Sequence, residues 1–207
     1  WRRREVLSWS VGDSPAGDEL AGCRVAVQID GGRVRVRQNK KSAAKRKKGQ
    51  RPKFKTAWRE PKVLVIFAFD EHGKKQKHRQ PLIDGTLLGP DHLAELAAWH
   101  LHRLGAAKAK EIVFLSDGAS WIWDRLDGVI ARAGLDAART ARVLDWCHAV
   151  EHISRALTLL KLKDAERLPA FARMRTLLKQ SRWAEIVAEL ERLAAGRSPK
   201  HQVWTEI

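Results

Sequence analysis

The sequence predicts an α/β protein: a mixed sheet flanked by helices, followed by an all-helical stretch. Three observations carry this reading. The first third of the chain holds short apolar runs separated by turn signals, the mark of hairpin strands. After Pro90, helical periodicity alternates with two further β-type runs, so strands and helices interleave. Beyond Lys163 the pattern is helical to the end.

Taken in order, residues 24–29 alternate Val and Ala with polar side chains and read as a strand. Asp30-Gly31-Gly32-Arg33 is a tight-turn signal, and Val34 and Val36 alternate with arginines in a second strand, giving a hairpin with one polar face. Residues 38–61 then form a lysine-rich loop containing Gly49 and Pro52, too polar to pack. Val63 to Phe69 is continuously apolar, which predicts a central strand. Asp70-Glu71-His72-Gly73 turns the chain into a basic connector that ends near Pro81. Leu93, Leu96, Ala97, His100, Leu101 and Leu104 share one helical face, and Gly105 ends that helix. Ile112–Ser116 is a strand. Trp121, Ile122, Leu126, Val129 and Ile130 build a second helix that stops near Gly134. A strand ending at Asp145 and a helix from about His148 to Leu160 follow. No internal repeat is visible.

Composition narrows the function classes. With 207 residues, 44% of them hydrophobic, the chain can build one ordinary core and part of another. No apolar stretch approaches the roughly 18 residues of a membrane span, and no signal-peptide pattern opens the chain. Cys23 and Cys147 are too few for a disulfide framework, so a reducing cytoplasm is the expected compartment. A start at Trp1 and an end at Ile207 without a stop signal suggest a fragment cut at both ends. The formal charge of +16 is concentrated: residues 33–62 hold 14 Lys/Arg against the single acid Glu60, a net +13 that leaves +3 for everything else. A basic block of this density displaces counterions from a polyanion and binds it in a salt-sensitive way.

The ends of the strands carry the chemistry. Val25-Ala26-Val27-Gln28-Ile29 runs into Asp30-Gly31, Ile112-Val113-Phe114-Leu115-Ser116 into Asp117-Gly118, and Ala141-Arg142-Val143-Leu144 into Asp145. Carboxylates at the ends of buried strands sit on a rigid edge, where they can meet around a metal ion. The plainer alternative is that each such aspartate starts a turn or caps the next helix. The element order is that of the ribonuclease H-like fold. There the first and fourth strands are neighbours, which would bring Asp30 beside Asp117 across 87 positions, with carboxylates about 4–7 Å apart.

Two blocks, Ser116-Asp117-Gly118-Ala119-Ser120-Trp121-Ile122-Trp123 and Val143-Leu144-Asp145-Trp146-Cys147-His148-Ala149-Val150-Glu151-His152, resemble DDE transposases of bacterial insertion sequences, in the branch related to Mutator-like elements. The resemblance covers roughly Val25 to Leu160. It implies DNA transposition by phosphodiester hydrolysis and strand transfer, with two Mg²⁺ (or Mn²⁺) ions held by three acids. Asp30 matches the first acid and Asp117 the second; Asp145 and His148 match a pair standing beside them. The third acid, a glutamate, would follow a helical insertion and so lie beyond Ile207, with Glu151 as the in-chain substitute. The implied organisation is an N-terminal flank (1–22), a catalytic core (23–160, with its basic loop at 38–61), and the start of a helical insertion (161–207). The implied partners are element ends and target DNA, with homo-oligomerisation on DNA. The implied setting is the bacterial cytoplasm at the nucleoid.

Other readings stay open. A basic nucleic-acid-binding module without catalysis would be equally charged. His148-Ala149-Val150-Glu151-His152 also satisfies the H-x-x-E-H pattern of zinc proteases, with Glu166, Glu185, Glu189 and Glu191 as available third ligands. Trp121, Trp123 and Trp183 fit helical core or interface positions, whereas Trp58, in the basic segment, could stack on an unpaired base. The expected DNA contacts are Lys40, Lys41, Lys45, Arg46, Lys47, Lys48, Arg51, Lys53 and Lys55. Replacing Lys45, Arg46, Lys47 and Lys48 with alanine should flatten the slope of log affinity against log salt by up to roughly 3–4 units, at about 0.9 per phosphate contact. Equilibrium binding across a salt series checks this, and an unchanged slope would make the segment a bystander.

Overall fold

The computed structural model describes residues 16–39, 54–198 and 201–205. The chain divides into two compact units, Trp1–Val143 and Leu144–Ile207. The first is built on a mixed five-stranded sheet in the order β5-β4-β1-β6-β7. Its strands are β1 (Arg24–Gly31), β4 (Lys62–Phe69), β5 (Leu82–Thr86), β6 (Glu111–Ser116) and β7 (Thr140–Leu144). Two more strands, β2 (Val34–Asn39) and β3 (Phe54–Arg59), form a separate two-stranded sheet.

β1 is paired on both edges. It runs antiparallel to β4, from Arg24 opposite Phe69 to Gly31 opposite Lys62, and parallel to β6, from Arg24 opposite Glu111 to Gln28 opposite Leu115. The two-residue period of a strand sorts its side chains. Val25, Val27 and Ile29 share one face with Leu64, Ile66, Ala68, Ile112 and Phe114, and all of them are buried. Two helices supply the other half of this core. α1 (Pro90–Arg103) contributes Leu93, Leu96, Ala97 and Leu101, and α2 (Ser120–Arg132) contributes Ile122, Leu126 and Val129.

The pairing of the first hairpin differs from the sequence expectation. β2 does not pair with β1; its partner is β3, which lies inside the segment expected to be loop. The two ladders are nonetheless one hairpin. Partner numbers add to 93 in both, from Arg24·Phe69 through Gly31·Lys62 and from Val34·Arg59 to Asn39·Phe54. The ladder breaks at Gly32-Arg33 and Glu60-Pro61, because proline has no N–H to donate. The Gly32 N–H donates to the Pro61 carbonyl oxygen at 2.9 Å and keeps the two halves in register. Alternation of Val34 and Val36 with arginines signalled a strand correctly, but not which partner it takes.

Three further differences have physical causes. β5 was not anticipated: Leu-Ile-Asp-Gly-Thr is short and polar, and it earns its place by pairing with β4 at the sheet edge. β4 is internal as expected, yet only alternate residues are buried, since the opposite face of Val63, Val65, Phe67 and Phe69 is exposed to half-buried. β7 is an edge strand with Val143 and Leu144 41% and 47% exposed, so the run into Asp145 is not the buried strand expected.

The second unit holds α3 (Trp146–Leu159), α4 (Asp164–Lys179) and α5 (Trp183–Ala194). Their core joins Ile153, Ala156, Leu157 and Leu160 to Ala170, Met174, Ile186, Leu190 and Val203. Packing thus groups α3 with the helical segment that the sequence reading began at 161. Trp121 and Trp123 pack against the first core as expected, whereas Trp183 is 67% exposed and belongs to no core.

A strap from residue 17 to residue 23 closes the far end of the sheet. Gly17 N–H donates to the Arg103 carbonyl, Leu20 N–H to Leu104, and Gly22 N–H to Lys108. Gly105 lies beneath it at φ +73°, and a Cβ there would stand 2.0 Å from the Gly17 carbonyl oxygen. Gly105→Ala should therefore cost about 1–3 kcal/mol, combining left-handed strain with loss of the strap contact. Chemical denaturation measures this; a cost below about 0.5 kcal/mol would show that the strap is not part of the folded unit.

Candidate functional site

The site is built from the ends of β1 and β6. In the parallel ladder the last pair is Gln28 opposite Leu115, and two residues further along each chain stand Asp30 and Asp117. Parallel neighbours in register point to the same face and lie about 4.8 Å apart. Asp30 ends on the face of Gln28, away from Val27 and Ile29, and Asp117 follows Leu115 by the same period. The pairing therefore brings the two strand-end acids to one edge of the sheet from 87 positions apart in sequence.

Each acid is held by its own turn. Asp30 is exposed, and its Oδ1 accepts the Gly31 N–H at 2.7 Å. Asp117 is half-buried; its Oδ1 accepts the Ala119 N–H at 3.0 Å and the Ser116 hydroxyl at 3.3 Å. Gly118, at φ +88°, allows this turn to close and start α2 at Ser120. Neither carboxylate is engaged by a cation among the described residues.

Trp121 joins the two turns. A Cβ on Gly31 would meet its Cζ2 at 3.3 Å, so the indole packs over the turn that follows Asp30. The Lys62 ammonium, buried at the last rung of β1–β4, lies 5.4 Å from the same ring centroid. Thus Trp121, two positions into the helix after Asp117, holds the Asp30 turn against the Asp117 turn. This gives the Ser116–Trp123 block a structural reason of its own.

The remaining sequence candidates are distributed differently. Asp145 and His148 belong to the second unit, where Asp145 is the N-cap of α3: its Oδ1 accepts the Cys147 and His148 N–H groups at 2.7 and 3.2 Å. Glu151 is exposed and paired with Arg155 at 2.6 Å. Lys40, Lys41, Lys45, Arg46, Lys47, Lys48, Arg51 and Lys53 lie outside the described residues, while Lys55 is exposed on β3. Among the described residues no group of three or more His, Cys, Asp or Glu could hold a metal ion. Asp30 and Asp117 thus fit a hard divalent cation in ligand type, oxygen donors on adjacent strands, but supply only two of the ligands such an ion needs.

One pair escaped sequence reasoning. His100, placed on the apolar face of α1, is 3% exposed, and its Nε2 lies 2.8 Å from Asp84 Oδ2. The pair pins α1 to edge strand β5 beside a cavity of about 770 Å³ that Arg79, Leu82, Trp99 and Arg103 also line. Its signal was present: Ile83-Asp84-Gly85 repeats the Ile29-Asp30-Gly31 pattern, hidden because β5 itself was not visible.

Comparison with family models, curated proteins and solved structures returned no match.

The cap at Asp145 yields a separable test. Asp145→Ala should lower the stability of the second unit by about 1 kcal/mol, whereas Asp145→Asn, which still caps, should cost a few tenths at most. Thermal unfolding of both variants checks this; equal losses would mean that charge rather than capping is what Asp145 contributes.

Proposed function

We propose that the first unit is the catalytic core of a DDE transposase, acting on DNA phosphodiesters with Asp30 and Asp117 as two of its metal-binding acids. The observation that carries this reading is the parallel β1–β6 ladder, whose register leads both acids to one sheet edge. The sheet order supports it. With the β2–β3 ribbon set aside, the strands run third, second, first, fourth, fifth, compatible with a ribonuclease H-like arrangement. The net +13 carried by residues 33–62 supports a polyanionic substrate.

Asp30 and Asp117 would hold divalent ions through their carboxylate oxygens. Bound there, Mg²⁺ or Mn²⁺ would activate water or a DNA 3′-hydroxyl and stabilise the leaving oxygen of an in-line displacement. The protein's own part is positional. The Ala119 N–H and Ser116 hydroxyl fix Asp117, the Gly31 N–H fixes Asp30, and Trp121 keeps the two turns together. The reading needs a third carboxylate, which the described residues do not bring to this pair. It further takes the protein to act as a homo-oligomer on DNA.

A second reading, a nucleic-acid-binding module without catalysis, is favoured by one specific observation: Asp117 and Asp145 both satisfy backbone N–H groups of turns or caps, a sufficient reason for an acid at either position. The H-x-x-E-H protease reading gains nothing comparable, since Glu151 is taken up by Arg155. No helix among the described residues is long and apolar enough to cross a membrane.

Divalent-ion binding separates the two. Mn²⁺ titration, followed by water-proton relaxation, should show a site weakened at least about tenfold by Asp30→Asn and by Asp117→Asn alike, since removing a ligand costs no less than removing its supporting partner. Within the full-length protein, Asp30→Asn should abolish DNA cleavage while DNA binding persists. Mn²⁺ affinity indifferent to both substitutions would eliminate the transposase reading.

A further inference from the structure

The β2–β3 ribbon carries an arrangement that the carboxylate site does not use. It prolongs the β1–β4 hairpin beyond Gly31·Lys62 without a change of register, and its six-residue strands extend about 20 Å. The strand period sorts its side chains: Arg35, Arg37, Thr56 and Trp58 on one face, Val34, Val36, Lys55 and Arg59 on the other. On the first face cations and rings alternate. The guanidinium carbons of Arg33 and Arg35 lie 5.4 and 5.1 Å from the Trp58 ring centroid, and that of Arg37 lies 4.3 Å from the centroid of Phe54. Trp58 is 56% exposed and Phe54 44%. Through the described part of the ribbon, Arg33, Arg35, Arg37, Lys55 and Arg59 stand against Glu60 alone, which pairs with Arg33 at 3.9 Å.

A structural explanation exists. Charged side chains keep an exposed two-stranded ribbon from pairing with other chains, and contacts between arginine and aromatic rings add support that such a ribbon lacks. Protection against pairing, however, would be served by lysine or glutamate on either face. It does not call for three arginines on or beside a single face, each laid against an exposed ring. A guanidinium held against a ring loses less rotamer freedom when it meets a phosphate, and N–H groups not turned toward the ring can fork onto phosphate oxygens.

We propose that the Arg33/Arg35/Arg37–Trp58/Phe54 face is a docking surface for double-stranded DNA. The ribbon has the cross-section of the two-stranded elements that a major groove about 12 Å wide admits. Its arginines contact the phosphates, and the rings hold those arginines in place. This names the substrate-contacting surface of the function proposed above and rests on that reading for DNA as the polyanion.

The test uses the full chain and a labelled mixed-sequence DNA duplex, with binding measured across a salt series. Arg35→Gln combined with Arg37→Gln should lower the salt slope by about 1.8, two phosphate contacts at about 0.9 each. Trp58→Ala should weaken binding at every salt concentration with a smaller change of slope, because the charges remain but are no longer held. Lys110→Gln, which removes an exposed cation elsewhere in the first unit, should leave the slope unchanged. An unaltered slope in the folded double variant overturns the proposal and leaves the arginines as edge protection. Tighter binding to single-stranded DNA that is lost in Trp58→Ala also overturns it, in favour of a platform for unpaired bases. The two proposals fail separately: a lowered slope without Mn²⁺ binding removes the catalytic reading alone, and Mn²⁺ binding with an unaltered slope removes the ribbon alone.

Discussion

The first unit depends on β1 being hydrogen-bonded along both edges. Val25 and Val27 are fully buried because β4 and β6 flank them in the sheet and α1 and α2 cover them from one side. The two partners are reached by different means. An antiparallel neighbour can come from a hairpin, whereas a parallel one needs a crossover, here made through β5 and α1. The ribbon, β4 and that crossover together separate Asp30 from Asp117, yet the ladder at the end leaves little freedom in how their strands align. A slip of one residue between β1 and β6 would turn one strand's Val or Ile set out of the core. Core burial therefore fixes the alignment of two exposed or half-buried acids that contribute nothing to the core.

What could be read in the sequence follows from what leaves a local trace. α1, α2 and the three later helices came through because apolar residues recur at helical spacing and glycine stops two of them, Gly105 and Gly134 at φ +73° and +67°. β1, β4 and β6 came through as apolar runs. Partner choice did not: β2 is a recognisable strand whose mate lies twenty residues away inside a lysine-rich stretch, and nothing local in Phe54–Arg59 outweighs that charge. β5 was invisible because pairing with β4 makes it a strand, while its own composition does not. The candidate site divides along the same line. The adjacency of Asp30 and Asp117 followed from element order, whereas the packing of Trp121 on Gly31 is tertiary and left no local trace, and the Ile83-Asp84-Gly85 signal gave no sign that His100 is its partner.

The aspartates also show why strand-end acids are ambiguous in a sequence. A carboxylate has two oxygens and several lone pairs, so one oxygen can receive a turn's N–H groups while the other stays accessible. Asp117 uses Oδ1 for Ala119 and Ser116, and Asp145 uses Oδ1 for Cys147 and His148. A role in the turn and a role toward an ion are therefore compatible on one side chain. The turn even favours the second role, since it fixes the direction of the carboxylate before any ligand arrives.

The break in the long hairpin at Gly32 and Pro61 has a consequence for how this protein can vary. Residues 40–53 join the ends of β2 and β3 distant from the sheet, so length changes there leave every core pair in place. An insertion of one residue at the break is another matter. It would leave β1–β4 untouched but shift β2 against β3, or exchange the outward and inward sets of one strand. The sheet and the ribbon can thus diverge independently in length, while the break itself cannot drift without rotating the arginines. Related chains should differ most between positions 40 and 53 and least in the spacing from Asp30 to Val34.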